Sequence, residues 1–402
     1  VKKWRIIWQM GFFSKNNAPR RIFLDYASTT PVDYRVMKDM MAYDIKYYAN
    51  PSALYGEALK AKEFLTQARE RIAKSLNTQK DTIVFTSGGT EANNLALLGI
   101  FEKFKTKDFT PHIITTEFEH PAILEVCTEI ERRGGKVTRI KVGEDGIVNP
   151  KAVREALTPE TVIVSIMYVN NEIGTIQPIH EISRVIKEFR QKNNTEYPFF
   201  HTDACQAPLY LPIDVLKIGV DLMTLDGIKI YGPRGFGILY VKDAVEISPM
   251  QFGGGQEKGL RSGTENVSAS LGFACALELA IANREKEGER LKAVRDYAID
   301  EILKTFPGSS LNGSKDSRIA NNINICFPGI DAEFAVISLD VAGISCSYSS
   351  SCRTLKEDSS SYVVSALGKN ECTNSSLRLT LGKGSTRGDI DELILALKKI
   401  VK

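Results

Sequence analysis

A chain of 402 residues, 43% hydrophobic and 25% charged, has an ordinary globular composition and is too long for one small core, so two domains are expected. The formal net charge of +3 points neither toward nor away from nucleic acid, and no run reaches the roughly 18 consecutive apolar residues that a membrane span requires. The seven cysteines are odd in number and scattered, which suits a reducing compartment, and none stands in a CxxC or Cys/His spacing that would hold a metal.

Residues 1–20 mix Lys2, Lys3, Arg5, Lys15 and Arg20 with Trp4, Ile6, Ile7, Trp8, Phe12 and Phe13. The apolar part is short and lacks a small-residue cleavage pattern, so a packed or frayed extension over 1–21 is expected rather than a secretory signal or a membrane-surface helix. Residues 22–31 read as a short strand and a polar turn, and 52–76 as an exposed amphipathic helix. Strand-like and helical runs then alternate: 82–85 and 91–104, 112–115 and 121–133, 162–169 and 179–192. Further apolar runs follow at 199–202, 222–225 and 236–241. Such alternation predicts an α/β domain around a mostly parallel sheet. After about residue 265 the pattern changes to helices at 268–283 and 285–305, a lone strand at 321–327 and a helix at 332–339. A Ser/Cys-rich loop at 345–361, a strand at 376–381 and a helix at 389–401 complete a smaller α+β domain.

Several strand ends carry chemistry. Lys229 stands alone among apolar neighbours before Tyr-Gly-Pro-Arg-Gly; a poorly hydrated amine there can attack a carbonyl carbon, although an ordinary strand-end lysine would look the same. Phe85-Thr-Ser-Gly-Gly-Thr90-Glu-Ala-Asn-Asn94 sits where a strand turns into a helix, and Gly89 and Thr90 would offer free N–H groups to an anion. His120, after Glu119, is an acid/base candidate or a buried structural histidine. Asp203 in His201-Thr-Asp-Ala-Cys-Gln206 could pair with a protonated ring nitrogen or cap a helix. Asn171 supplies an amide at another strand end, or simply a turn. Cys352, in a small-residue loop beside Arg353, is accessible and partly activated, with Cys346 its rival; the alternative is an inert polar loop. Arg378 places a guanidinium inside a strand, which calls for a substrate carboxylate or a buried ion pair.

In order along the chain, these stretches closely resemble the cysteine desulfurases, enzymes of the aspartate-aminotransferase fold (fold type I of the pyridoxal phosphate enzymes). The resemblance runs from Ile22 to the C-terminus. It rests on Leu24-Asp-Tyr-Ala-Ser-Thr-Thr-Pro, Phe85-Thr-Ser-Gly-Gly-Thr-Glu-Ala-Asn-Asn, Val169-Asn-Asn-Glu-Ile-Gly, Lys229-Ile-Tyr-Gly-Pro-Arg-Gly and Arg261-Ser-Gly-Thr. It implies an α/β large domain over 22–265 and a small α+β domain over 266–402 that carries the loop. Lys229 would hold pyridoxal 5'-phosphate covalently, Asp203 would face its ring nitrogen, and Gln206 its ring oxygen. His120 would stack on the ring and move protons. Thr90 and Gly89 would bind the phosphate, with Thr264 reaching the phosphate site of a second copy in a homodimer. Asn171 and Arg378 would hold the carboxylate of L-cysteine. Cys352 would take its sulfur as a persulfide, release alanine, and pass the sulfur to an iron–sulfur scaffold or a tRNA-thiolation relay. A cytoplasmic enzyme without direct nucleic-acid contact is implied.

The chain departs from the family pattern at Asp226-Gly-Ile228-Lys229, where Ser-Gly-His-Lys is usual and the serine and histidine bind phosphate. A carboxylate about 4 Å from that dianion is opposed by roughly 4 kcal/mol per charge pair at an effective dielectric of about 20, so Asp226 must turn away, take a proton or weaken the cofactor. Tyr55, Glu265 and Ser349 replace a histidine, a proline and a glycine. Two other readings stay open: a selenocysteine lyase or other β-eliminating lyase on the same fold, and a non-catalytic homologue acting as a partner or scaffold.

Overall fold

Paired apolar residues build the central sheet. In the computed structural model, which describes residues 20–348 and 360–401, a short strand β1 (Ile22–Phe23) precedes seven strands. These are β2 (Ile83–Thr86), β3 (His112–Thr116), β4 (Lys136–Ile140), β5 (Thr161–Ser165), β6 (Phe199–Asp203), β7 (Leu222–Asp226) and β8 (Gly237–Val241). Their order is β2-β8-β7-β6-β5-β3-β4, and only β8 runs against its neighbours. Successive side chains enter different cores: Ile83, Phe85, Ile114, Val164, Phe200 and Met223 pack on one face, and Val84, Ile113, Ile163, Phe199 and Leu222 on the other. Because both faces are covered, these strands read as continuous apolar runs instead of alternating ones.

The second sheet sets β10 (Asn322–Cys326) between β9 (Ser310–Leu311) and β12 (Ser376–Thr380), all antiparallel, while β1 pairs in parallel with β11 (Ile344–Ser345). Ile22 and Leu24 therefore share a core with Leu291, Ile302, Ile325, Leu379 and Leu393. The start of the described chain is packed with its last third.

Three expectations need correction. The helices expected at 268–283 and 285–305 are one helix, Val267–Thr305. Nothing between them breaks a helix, and Asn283 turns its amide back onto the Leu279 carbonyl within the same ladder. The apolar pattern is interrupted because Phe273 and Leu277 belong to the first core, Leu291 and Ile302 to the second, and the span between them crosses from one to the other. The strand at 321–327 is not alone, since it has a partner on each side. The scattered cysteines read as thiols, yet Cys326 and Cys372 form a disulfide across a sequence separation of 46. Cys326 ends β10 opposite Ser376 of β12, and Cys372 lies just before that strand, so antiparallel pairing brings the two Cα atoms to 5.3 Å. Among the described residues, no helix is long and apolar enough to cross a membrane.

One buried ion pair fastens the Gly56–Leu76 helix to the sheet. Arg69 grips Glu257 through two nitrogens at 2.5 and 2.9 Å and lies 4.1 Å from the Phe85 ring centroid, and Glu257 also accepts the Phe85 N–H at 2.8 Å. Removing the cation leaves a carboxylate that is almost wholly shielded from water, so Arg69→Met should lose about 3–5 kcal/mol of stability. The expected readout is a lower urea midpoint with an unchanged slope of unfolding free energy against urea.

Candidate active site

The parallel strands point their carboxyl ends at one place, which is where open α/β sheets bind ligands. Gly89, Thr90, His120, Asn171, Asp203, Gln206 and Lys229 follow β2, β3, β5, β6 and β7, and Arg378 reaches in from β12. All eight line a single cavity of about 230 Å³. Thr264 is exposed and outside that lining. Cys352 lies outside the described residues.

Local geometry fixes each group. Lys229 closes the one-turn helix after β7, and its Nζ donates to the Ala27 and Ser28 carbonyls at 2.8 and 2.6 Å. His120 caps the Pro121–Arg132 helix by accepting the Ala122 N–H on Nδ1 at 3.1 Å, so in the neutral ring the proton sits on Nε2. Burial pushes the His120 pKa below the usual histidine value, against the pull of the Asp203 charge. Asp203 is buried; one oxygen accepts from Asn93 Nδ2 at 2.7 Å and the other from the Cys205 N–H at 3.0 Å. Gln206 donates to the Ala27 carbonyl at 3.0 Å.

Arg378 was open to two readings, a carboxylate receptor or a buried ion pair. It makes the ion pair: Nη2 donates to Asp25 and Ser28 Oγ, both at 2.8 Å, and Nη1 donates to the Asn171 carbonyl at 3.2 Å. Its Nε has no hydrogen-bond partner among the described residues, and neither do the buried Oδ1 atoms of Asn93 and Asn171.

Sequence reasoning passed over Asn93 and Cys205, although both stand inside the motifs it singled out. Asn93 falls four residues after Gly89, one turn along the same helix face, and that spacing could have found it. Cys205 lies close behind the glycine turn, where a Cβ on Gly89 would come within 2.9 Å of its sulfur. Burial pushes its thiol well above the ordinary pKa, so it remains a protonated neighbour of the cavity.

The pyridoxal phosphate implied by the resemblance fits this lining. The volume suits a substituted pyridine, and the lining offers both a carboxyl, Asp203, that could pair with a protonated ring nitrogen and an amine, Lys229. The two orphaned amide oxygens are acceptors left for donor groups of a ligand to satisfy. The glycine turn and first helical turn at Gly88–Thr90 form the anion end, with Gly88 at φ +151°, a conformation open essentially to glycine alone. Asp226 does not turn away from this end. Its Oδ2 accepts the Gly89 N–H at 2.9 Å, and its Oδ1 accepts the Ile228 N–H at 3.1 Å.

Glu119 stands beside His120 behind the cavity wall. Complete burial raises its pKa from 4.5 to about 8, although Thr116 and the Met167 N–H both donate to Oε1. The folded protein thus keeps a proton that the unfolded chain releases between these values. Stability from this group falls as pH rises through that window and levels off above it. Glu119→Gln should flatten this part of the stability–pH curve, which urea unfolding at a series of pH values measures.

The geometry has counterparts among known proteins. A family model described as Aminotransferase class-V matches residues 22–393. The cysteine desulfurase IscS of Clostridium botulinum strain Hall is 42% identical over 385 residues, covering 95% of each chain. Among solved structures, a NifS-like protein superposes with a TM-score of 0.86 at 31% identity, over 95% of this chain and 98% of the other. A structure described as SspA in complex with cysteine gives a TM-score of 0.77 at 33% identity, over 90% and 99% of the two chains. With a family match across nearly the whole length and relatives this similar, the chain belongs to the class-V aminotransferase family, within its pyridoxal phosphate-dependent cysteine desulfurases.

Proposed function

We propose that this chain converts L-cysteine to L-alanine and holds the released sulfur as a persulfide on Cys352. The convergence of Lys229, His120, Asp203 and Arg378 on one cavity at the carboxyl ends of the sheet carries this reading. Bound there, pyridoxal phosphate supplies the electron sink for bond changes at the amino acid's α and β carbons. Lys229 is the amine that would hold the cofactor. Asp203 would keep a proton on the ring nitrogen, Gln206 would face the ring oxygen, and Thr90 with Gly89 would receive the phosphate. His120 would lie against the ring, with its Nε2 proton available for transfer.

Arg378 and Asn171 take the substrate carboxylate. The Nε–H of Arg378 has no partner among the described residues and can donate to this carboxylate without breaking the Asp25 pair, and the amide of Asn171 would donate through Nδ2. The Cys352 thiolate then attacks the substrate sulfur. A sulfur–sulfur bond forms as the carbon–sulfur bond breaks, the β carbon gains a proton, and alanine leaves. Thr264 completes the phosphate site of a second copy, which makes the working unit a homodimer. The division at 22–265 and 266–402 belongs to the same proposal, as does a cytoplasmic setting in which the persulfide passes to an iron–sulfur scaffold or a tRNA-thiolation relay.

Three variants test this. Lys229→Ala should lose the visible absorbance that the full-length chain acquires with pyridoxal phosphate. His120→Ala should keep that absorbance and lower kcat about 10²–10⁴-fold. Cys352→Ala should also keep it, yet form neither persulfide nor alanine from L-cysteine. Wild-type alanine release by Cys352→Ala would instead establish a lyase that needs no thiol acceptor. A wild type that stays colourless with saturating cofactor would leave the scaffold reading.

A further inference from the structure

The anion end of the cavity already holds an anion. Asp226 Oδ2 lies 2.9 Å from the Gly89 nitrogen, and a Cβ built on Gly88 would meet that same oxygen at 3.2 Å. The carboxylate thus rests directly on the glycine turn, against the first free N–H of a 16-residue helix. Both of its hydrogen bonds come from neutral backbone amides, Gly89 and Ile228. Two residues on, Ile228 lines the cavity without any hydrogen-bonding group on its side chain. The same cavity presents the buried, unpartnered Oδ1 of Asn93, one turn farther along the helix, so the site is shaped for a ligand beyond its own side chains.

We propose that Asp226 is a specificity-determining residue that competes with the cofactor's phosphate for the Gly89 N–H. A phosphate that arrives at this helix end must displace the carboxylate or lie against it, and either lowers affinity for the phosphorylated cofactor. The aldehyde without phosphate meets no such competitor. This chain therefore discriminates weakly between pyridoxal phosphate and pyridoxal, and exchanges its cofactor readily. A carboxylate that served only to brace the turn would not set this ratio.

The inference rests on the reading that the cavity takes a pyridoxal-type cofactor on Lys229, and the experiment separates the two. The cofactor-stripped full-length protein is titrated with pyridoxal phosphate and, separately, with pyridoxal, and Kd values are read from visible absorbance. Wild type, Asp226→Ser and Asp226→Asn are compared. The asparagine variant removes the charge and keeps one acceptor oxygen, enough for the Ile228 N–H that caps the lysine turn, so it remains informative if the serine variant folds poorly. Both variants should bind pyridoxal phosphate at least about tenfold more tightly and leave the pyridoxal Kd unchanged. Inorganic phosphate should compete with the cofactor in the variants at lower concentration than in the wild type. An unmoved ratio of the two Kd values in a folded variant overturns the role of Asp226 while keeping the cofactor reading. The absence of any Lys229-dependent band with either aldehyde overturns both.

Discussion

The buried guanidinium of Arg378 ties together segments that are far apart in sequence. It comes from β12 in the second sheet, pairs with Asp25 and Ser28 in the loop after β1, and donates to the carbonyl of Asn171 beyond β5. That loop also receives the amine of Lys229 and the amide of Gln206 on the Ala27 and Ser28 carbonyls. Strand β1 itself pairs with β11 and packs in the second core. The cavity therefore lies where the two cores are stitched to each other. A guanidinium with almost no solvent contact is expensive to place unless its partners are fixed, and two of its three partner residues, Ser28 and Asn171, line the cavity. The same pair that holds the cores together fixes the Arg378 guanidinium at the cavity.

A second constraint comes from the parallel sheet. Both of its faces must be covered by helices, so the loops at the carboxyl ends are free to carry chemistry. Helix starts there do two things at once. His120 is held by capping its own helix through Nδ1, which fixes the proton on Nε2. Gly89 begins another helix, and its N–H donates to the Asp226 carboxylate. Electrostatics within this ring of loops are sharpened by burial, as the displaced pKa values of His120 and Glu119 record.

Much of this was legible in the sequence, for a physical reason. Strands buried on both faces leave unbroken apolar runs, and the residues just after them had to be the ligand-facing ones. The edge strand β4 escaped notice because Ile140 is its one fully buried residue, with Lys136 and Arg139 turned to solvent. The long helix was split in two because its burial switches cores midway while its backbone ladder continues. The disulfide was invisible because Cys326 and Cys372 are brought together by strand register, which spacing does not encode. The pairing of Arg378 with Asp25 spans 353 residues, and only the fold chooses it over the alternative of an unpaired carboxylate receptor.

Asp226 shows where sequence reasoning stops and geometry begins. An aspartate in place of the usual serine announces a conflict with a phosphate, but composition and spacing leave its direction undetermined. The strand end decides it. Asp226 is the last residue of β7, paired with Gly237, and its side chain caps the short turn that carries Lys229. Capping that turn brings the carboxylate against Gly89, because β8 is hydrogen-bonded to β7 on one side and to β2 on the other. A Cβ on Gly237 would come within 2.7 Å of Gly88, so the two turns are held in contact by backbone packing. Moving the carboxylate away from the anion end would mean uncapping the lysine turn. The position of the lysine and the charge at the phosphate end are thus coupled through one side chain.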